Sequence, residues 1–135
     1  MAVTKEAERA LGGTRDVRVT QFPFKVGRES RVSQAAQDTF VKEERRGVAP
    51  HVNHVYLIEP SQSEMLQISR DHFTIERVGD QFFVVDRGSV CGTIVAGRRL
   101  GGRRKGGRTE LRHGDQITVG TGDSPYVFRF DIVPA

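Results

Sequence analysis

Apolar residues in this chain recur at every second position over short stretches, and that period is the property that most limits the possible folds. Alternation of this kind puts one face of a segment in a core and the other in water, as a half-buried strand requires. Val17 and Val19 alternate with Arg18 and Thr20, and Phe73 and Ile75 alternate with Thr74 and Glu76. Tyr126, Phe128, Phe130 and Ile132 set three aromatics on one face, which predicts the central, best-buried strand. His54 to Glu59 and Gln81 to Asp86 are rich in β-branched and aromatic residues and are bounded by Pro, Ser, Gly or Asp, so they too read as strands. Turn signals separate these runs: Gly79-Asp80, Arg87-Gly88-Ser89, Ala96-Gly97, His113-Gly114-Asp115 and Gly122-Asp123. Many short strands at this spacing predict an all-β sandwich or barrel, and the lack of strand-helix-strand alternation argues against a parallel α/β fold.

The 135 residues, 36% of them hydrophobic, fit one core. Residues 1–15 are expected to be an N-terminal extension and residues 16–135 the sandwich. Within the extension, Thr4 is placed to cap a short helix running to Leu11, which Gly12 and Gly13 would end. Residues 29–53 form a long polar connection, with a helical turn or two around Ala36 and Phe40, between Ser33 and Arg46, as open as a mobile loop. No run approaches the roughly 18 apolar residues of a membrane span. Lys5, Glu6, Glu8 and Arg9 stand where a signal peptide would need an apolar run. The expectation is a cytoplasmic protein, in keeping with a single cysteine, Cys91, that cannot form an internal disulfide.

The net charge of +4 is local. Arg98, Arg99, Arg103, Arg104, Lys105 and Arg108 crowd one segment with no acid among them, and the rest of the chain is net acidic. Arginine interleaved with glycine suits attachment to a phosphate backbone, but the segment has no aromatic residue to stack on a base. A solvated hairpin loop is its ordinary reading, with an acidic partner or nucleic acid as alternatives.

Three clusters carry the chemistry: Val26-Gly27-Arg28-Glu29-Ser30, Ile68-Ser69-Arg70-Asp71-His72, and Asp86-Arg87-Gly88-Ser89-Val90-Cys91-Gly92-Thr93. Each falls at a strand end or in a turn, where loops converge on one rim of a sandwich. Arg28 offers a planar fork of donors, Ser69 a hydroxyl and an N–H, and Arg70 a second cation, a set that suits phosphate better than carboxylate.

These clusters, in this order, resemble the forkhead-associated (FHA) domain. Its pattern is Gly-Arg, then Ser-x-x-His, then Asp-x-Gly-Ser-x-x-Gly-Thr, then Leu-x-x-Gly-Asp-x-Ile. This chain supplies Gly27-Arg28, Ser69-x-x-His72, Asp86-x-Gly88-Ser89-x-x-Gly92-Thr93 and Leu111-x-x-Gly114-Asp115-x-Ile117, spanning about Val17 to Val133. The resemblance implies a sandwich of two antiparallel sheets whose loops grip a phosphothreonine in an extended peptide, with no cofactor and no catalysis. It implies that Arg28 contacts the phosphate, that Ser69 donates to it and that Arg70 reaches it from a variable position. His72 would brace the loops, Gly27 and Gly92 would serve backbone geometry, and Asp86, Ser89 and Thr93 would fix the turn.

The family usually carries a small hydroxyl residue and then Asn just before its Gly-Thr, and both normally contact the phosphopeptide. Here those site positions are Val90 and Cys91. Losing one or two charge-assisted hydrogen bonds, at about 1.5–3 kcal/mol each, weakens binding tenfold to several hundredfold unless other groups compensate. The expected partner is a phosphothreonine-bearing protein, with a serine/threonine kinase in the same pathway; neither nucleic acid nor a membrane is expected. A scaffold that binds unphosphorylated protein surfaces is the alternative. His51 and His54 have a spacing that binds metal on a helix but lack further ligands, so no metal site is expected. Cys91 has no base beside it in sequence, and Gly101-Gly102 and Gly106-Gly107 lack the Gly-Lys-Ser/Thr ending of a nucleotide loop.

Overall fold

A computed structural model describes residues 1–29, 53–60 and 66–133. The helical turns considered between Ser33 and Arg46, together with His51, lie outside the described residues. The chain folds as two packed sheets. The first has the order β2-β1-β3-β4-β7, from β1 (Phe24–Arg28), β2 (Val55–Leu57), β3 (Phe73–Val78), β4 (Gln81–Asp86) and β7 (Gly107–Leu111). The second has the order β6-β5-β8-β9, from β5 (Thr93–Val95), β6 (Arg98–Leu100), β8 (Gln116–Val119) and β9 (Val127–Arg129). All pairings are antiparallel except β1 with β2, which run parallel with Gly27 opposite Tyr56 and Arg28 opposite Leu57.

The core is built from alternate residues of the strands, the pattern that Phe73 and Ile75 carry in the sequence. Phe24 and Val26 of β1, Phe73 and Ile75 of β3 and Val84 of β4 face Val95, Ile117 and Val119 of the second sheet. The same alternation puts Asp86 on the buried side of β4, two residues beyond Val84. A buried carboxylate must be hydrogen-bonded or it is costly, so the end of this strand dictates the loop that follows.

The helix is α1 (Lys5–Ala10), with Thr4 as its N-cap accepting from the Ala7 N–H at 3.1 Å. The Thr4 hydroxyl also donates to the Pro125 carbonyl. Gly12 and Gly13 follow at positive φ, and Ala7 and Ala10 are fully buried. The Ile58 N–H donates to the Ala10 carbonyl at 2.8 Å, tying the helix to the residue after β2.

Two strand expectations need correction. Val17 to Thr20 form no strand, and Val17 is 39% exposed. β1, the strand that follows them, is already flanked by β2 and β3, and the outer edge of β9 is taken by Met1 to Val3. There Ala2 bridges Phe128, and the Val3 N–H donates to the Val127 carbonyl at 2.9 Å. The Tyr126 to Ile132 run is not the central strand. Only Val127–Arg129 ladders, at the end of the four-stranded sheet, and Ile132 is 45% exposed. Its Phe130 packs instead on the first sheet: Phe130 lies on Phe82 of β4 at 5.2 Å between ring centroids, and Phe82 on Phe22 at 5.7 Å.

Candidate functional site

The rim forms where β1 ends. The segment carrying Ser69 and Arg70 crosses directly over Gly27, so a Cβ there would collide with the Arg70 carbonyl. Glycine is required by this close approach, since its φ is not in the left-handed region. Three bonds hold the crossing. The Arg28 N–H donates to the Ser69 carbonyl at 2.9 Å, the His72 N–H to the Val26 carbonyl at 3.1 Å, and Arg28 Nη1 to the Ile68 carbonyl at 3.2 Å. Arg28 and Ser69 are therefore neighbours, and that guanidinium bond goes to a backbone carbonyl. A guanidinium has five N–H donors, so one such bond leaves most of the fork for a ligand.

His72 joins this loop to the next one. Its Nδ1 accepts from the Ser69 N–H at 2.9 Å, which leaves Nε2 to carry the proton and donate to the Gly92 carbonyl at 2.7 Å. The ring is fully buried, and burial pushes its pKa below the usual histidine value, against the Gly92 hydrogen bond and the nearby Asp86 charge. A neutral imidazole with both nitrogens committed is a brace.

The buried Asp86 carboxylate organises the loop after β4. It accepts from the N–H groups of Gly88 (3.0 Å) and Ser89 (2.8 Å), and from the hydroxyls of Ser89 (2.6 Å) and Thr93 (2.8 Å). The Ser89 hydroxyl in turn accepts from the Gly92 N–H at 2.9 Å. Gly92 sits at φ 88°, where a side chain would be strained and its Cβ would press on the Leu100 carbonyl. This turn aims the Val90 N–H at Ser69 Oγ, 3.0 Å away. With that bond accepted, the serine O–H remains as a donor.

Arg28, Ser69 and Val90 thus lie on one hydrogen-bonded path across three loops. Val90 is 54% exposed and Arg70 is also exposed, with its carbonyl held by Asn53 Nδ2 at 2.8 Å. Cys91 is placed differently from its neighbour: it is buried, and its thiol donates to the Leu66 carbonyl at 3.4 Å. Burial and the Glu59 charge raise the thiol pKa against the opposing effect of Arg99, which disfavours a reactive thiolate. His54 accepts from the Lys25 N–H through Nδ1 at 2.9 Å and stacks on Phe24. Among the described residues no group of three or more His, Cys, Asp or Glu could hold a metal ion.

Sequence reasoning missed a supporting layer. Asn53 Oδ1 accepts from Arg87 Nη1 at 2.8 Å, and Arg87 pairs with Asp71 at 3.0 Å, so the Ser69 loop is clamped from outside. The buried Glu59 carboxylate accepts from the N–H groups of Gln67 (2.8 Å) and Ile68 (2.9 Å), fixing the approach to Ser69. An acid directly after the apolar run Val55-Tyr56-Leu57-Ile58 was the available signal for Glu59. Arg87 and Asp71 gave none, because charged turn residues are ordinarily solvated.

No helix among the described residues is long and apolar enough to cross a membrane. No curated protein matches the chain. Solved structures similar to it include FHA domains. One, from a Chlamydia trachomatis protein, has 21% identity and a TM-score of 0.43, covering 73% of this chain and 67% of that one. Another, from an Arabidopsis thaliana hypothetical protein, has 22% identity and a TM-score of 0.46, covering 83% and 70%. A third, the FHA-2 domain of a Mycobacterium tuberculosis ABC transporter, has 18% identity and a TM-score of 0.39, covering 87% and 86%. A family model of the FHA domain matches residues 24–120, a span that contains every cluster of the rim, and the chain belongs to the FHA domain family, whose members are interaction modules that bind phosphorylated proteins.

Proposed function

We propose that the chain is a phosphothreonine-dependent protein-interaction module, acting in the cytoplasm downstream of a serine/threonine kinase. The observation that carries this reading is the path from Arg28 through the Ser69 loop to Val90, which holds a cation and a hydroxyl donor side by side on a braced rim. A phosphate carries about −1.5 to −2 charges at neutral pH and three acceptor oxygens, so it gains more from a guanidinium plus a hydroxyl than a carboxylate does. Arg28 takes the role of the main phosphate contact, Ser69 donates its O–H, and Arg70 adds a second cation at the exposed side. Val90 and Cys91 occupy the wall next to them, with Cys91 turned inward. Gly27, His72, Gly92 and Thr93 keep the loops in place before any ligand arrives, and such pre-organisation lowers the ordering cost of binding. No reaction is assigned to these groups.

Calorimetric titration with a phosphothreonine peptide library tests the reading. Saturable binding that disappears with phosphatase treatment and with Arg28→Ala is the expected result, with phosphoserine peptides binding more weakly. The exposed, apolar Val90 favours a second reading, a scaffold for unphosphorylated protein surfaces. It is preferred if no phosphopeptide binds.

A further inference from the structure

The six cations of the basic segment do not share one environment. Arg98 Nη2 donates to the Glu110 carbonyl at 3.2 Å, and the Arg108 guanidinium lies over the Phe83 ring at 4.0 Å, so both are held along β7 and β4. Residues 101–106, between β6 and β7, instead wrap around the Asp86 turn. A Cβ on Gly101 would strike the Asp86 carboxyl, and one on Gly106 would sit 3.3 Å from the Asp86 carbonyl. From there the Arg103 N–H donates to the Val90 carbonyl at 2.8 Å and the Arg104 N–H to the Ser89 carbonyl at 3.0 Å.

Both arginines are exposed and lie in the left-handed region, at φ 51° and 63°, a conformation that is costly for a non-glycine residue. Docking on the Ser89-Val90 backbone holds them there. Arg99 joins them: its Nη2 would lie 3.7 Å from a Cβ on Gly102, which would itself be 4.0 Å from the Cys91 carbonyl carbon. None of the ion pairs among the described residues engages Arg99, Arg103 or Arg104.

We propose that Arg99, Arg103 and Arg104 form a second anion subsite, one backbone hydrogen bond away from the phosphate rim, that selects phosphopeptides carrying a further negative charge near the phosphothreonine. This rests on the phosphopeptide reading and deepens it. The loop is rooted by backbone bonds to the same Ser89-Val90 turn that presents its N–H to Ser69, so its backbone keeps a fixed distance from the pocket. A carboxylate or a second phosphate supplies the matching chemistry. Nucleic acid fits less well, since the segment offers no aromatic ring for stacking.

The test is calorimetry on the full chain with four peptides of equal length: phosphothreonine with neutral flanks, with Asp/Glu flanks, with a second phosphorylated residue, and the Asp/Glu peptide without phosphate. The variants are Arg103→Asn with Arg104→Asn, because Asn tolerates the left-handed backbone, and separately Arg99→Gln. At about 50 mM salt, the acid-flanked phosphopeptide is expected to bind about three- to tenfold tighter than the neutral one. That advantage should vanish in the double variant and at about 300 mM salt, while the neutral peptide is unaffected by the variant. The stronger of the two anionic phosphopeptides identifies the second group as carboxylate or phosphate.

Equal affinity for neutral and anionic phosphopeptides overturns the inference and leaves the pocket reading standing. Tighter arginine-dependent binding of a single-stranded RNA oligonucleotide overturns it in favour of nucleic acid. Failure of all three phosphopeptides to bind the unaltered chain removes the pocket reading and the subsite with it.

Discussion

Replacing Asp86 with Asn probes the element on which the rim depends. In the native turn Oδ1 accepts two backbone N–H groups and Oδ2 accepts two hydroxyl protons, from Ser89 and Thr93. Asparagine keeps the first pair through its own Oδ1 but presents NH2 where the second pair needs an acceptor. Ser89 and Thr93 are fully buried, so no water is at hand to take the two protons. Hydrogen bonds to a charged acceptor contribute about 1.5–3 kcal/mol each, and rotation of the hydroxyls to accept from Nδ2 recovers part of that. A net cost of about 2–4 kcal/mol follows, a large share of the roughly 5–15 kcal/mol that stabilises a domain. In urea unfolding followed by circular dichroism, with a slope of about 1–3 kcal/mol per molar, the midpoint should fall by about 1–2 M. Asp86→Ala should fall further, by about 3–5 kcal/mol, because it strands all four donors. A midpoint for Asp86→Asn within about 0.3 M of the parent would refute the claim that this carboxylate organises the turn.

Gly27→Ala should cost about 1–3 kcal/mol by forcing the Arg70 carbonyl off β1, and should weaken phosphopeptide binding even after correction for the folded fraction, both read by thermal melts and titration. His72 has a folded pKa below its ordinary 6.5, so the unfolded chain binds the extra proton first: its contribution is full above about pH 6.5 and fades as pH falls through the folded value. Urea midpoints measured between about pH 6.5 and 5 should decline, with a slope bounded by about 1.4 kcal/mol per pH unit, and His72→Gln should remove that part of the slope. Val90→Ser restores a hydroxyl at an exposed site, so it should leave stability within about 0.5 kcal/mol and tighten phosphopeptide binding up to about tenfold; unchanged affinity argues that the phosphate does not meet this wall.

What could be read in the sequence divides along a physical line. Local chemistry was legible: the β3 alternation, the β-branched and aromatic run of β4, the Thr4 cap and the Gly12-Gly13 stop all follow from residues close together in sequence, whereas the part Asp86 plays in its turn was implied by the family resemblance. Competition for partners was not. Val17 and Val19 have a strand's pattern, but Met1 to Val3 reach the free edge of β9. The aromatic run ending at Ile132 has the richest pattern in the chain, yet its strand stands at the end of its sheet, because pattern records which face is apolar and not where the strand stands. The Arg28, Ser69 and His72 cluster was legible as a set of residue types. Its clamp through Asn53, Arg87 and Asp71 depends on contacts between residues far apart in sequence.

The bonds that set the rim fall into two kinds, and this explains how Val90 can differ from the usual pattern without loosening the fold. Position 90 takes part through its N–H to Ser69 and its carbonyl to Arg103, and position 92 through its carbonyl to His72; none of these uses a side chain of the loop tip. The side chains that do hold the loop, Asp86, Ser89 and Thr93, are buried beneath it. Loop shape is therefore fixed from below and across, while the exposed side chain of residue 90 is uncoupled from that framework. An exposed side chain on a rigid backbone can change what the rim recognises at little cost in stability. The same division holds for Arg103 and Arg104, which contribute backbone donors to the framework while both residues stay exposed.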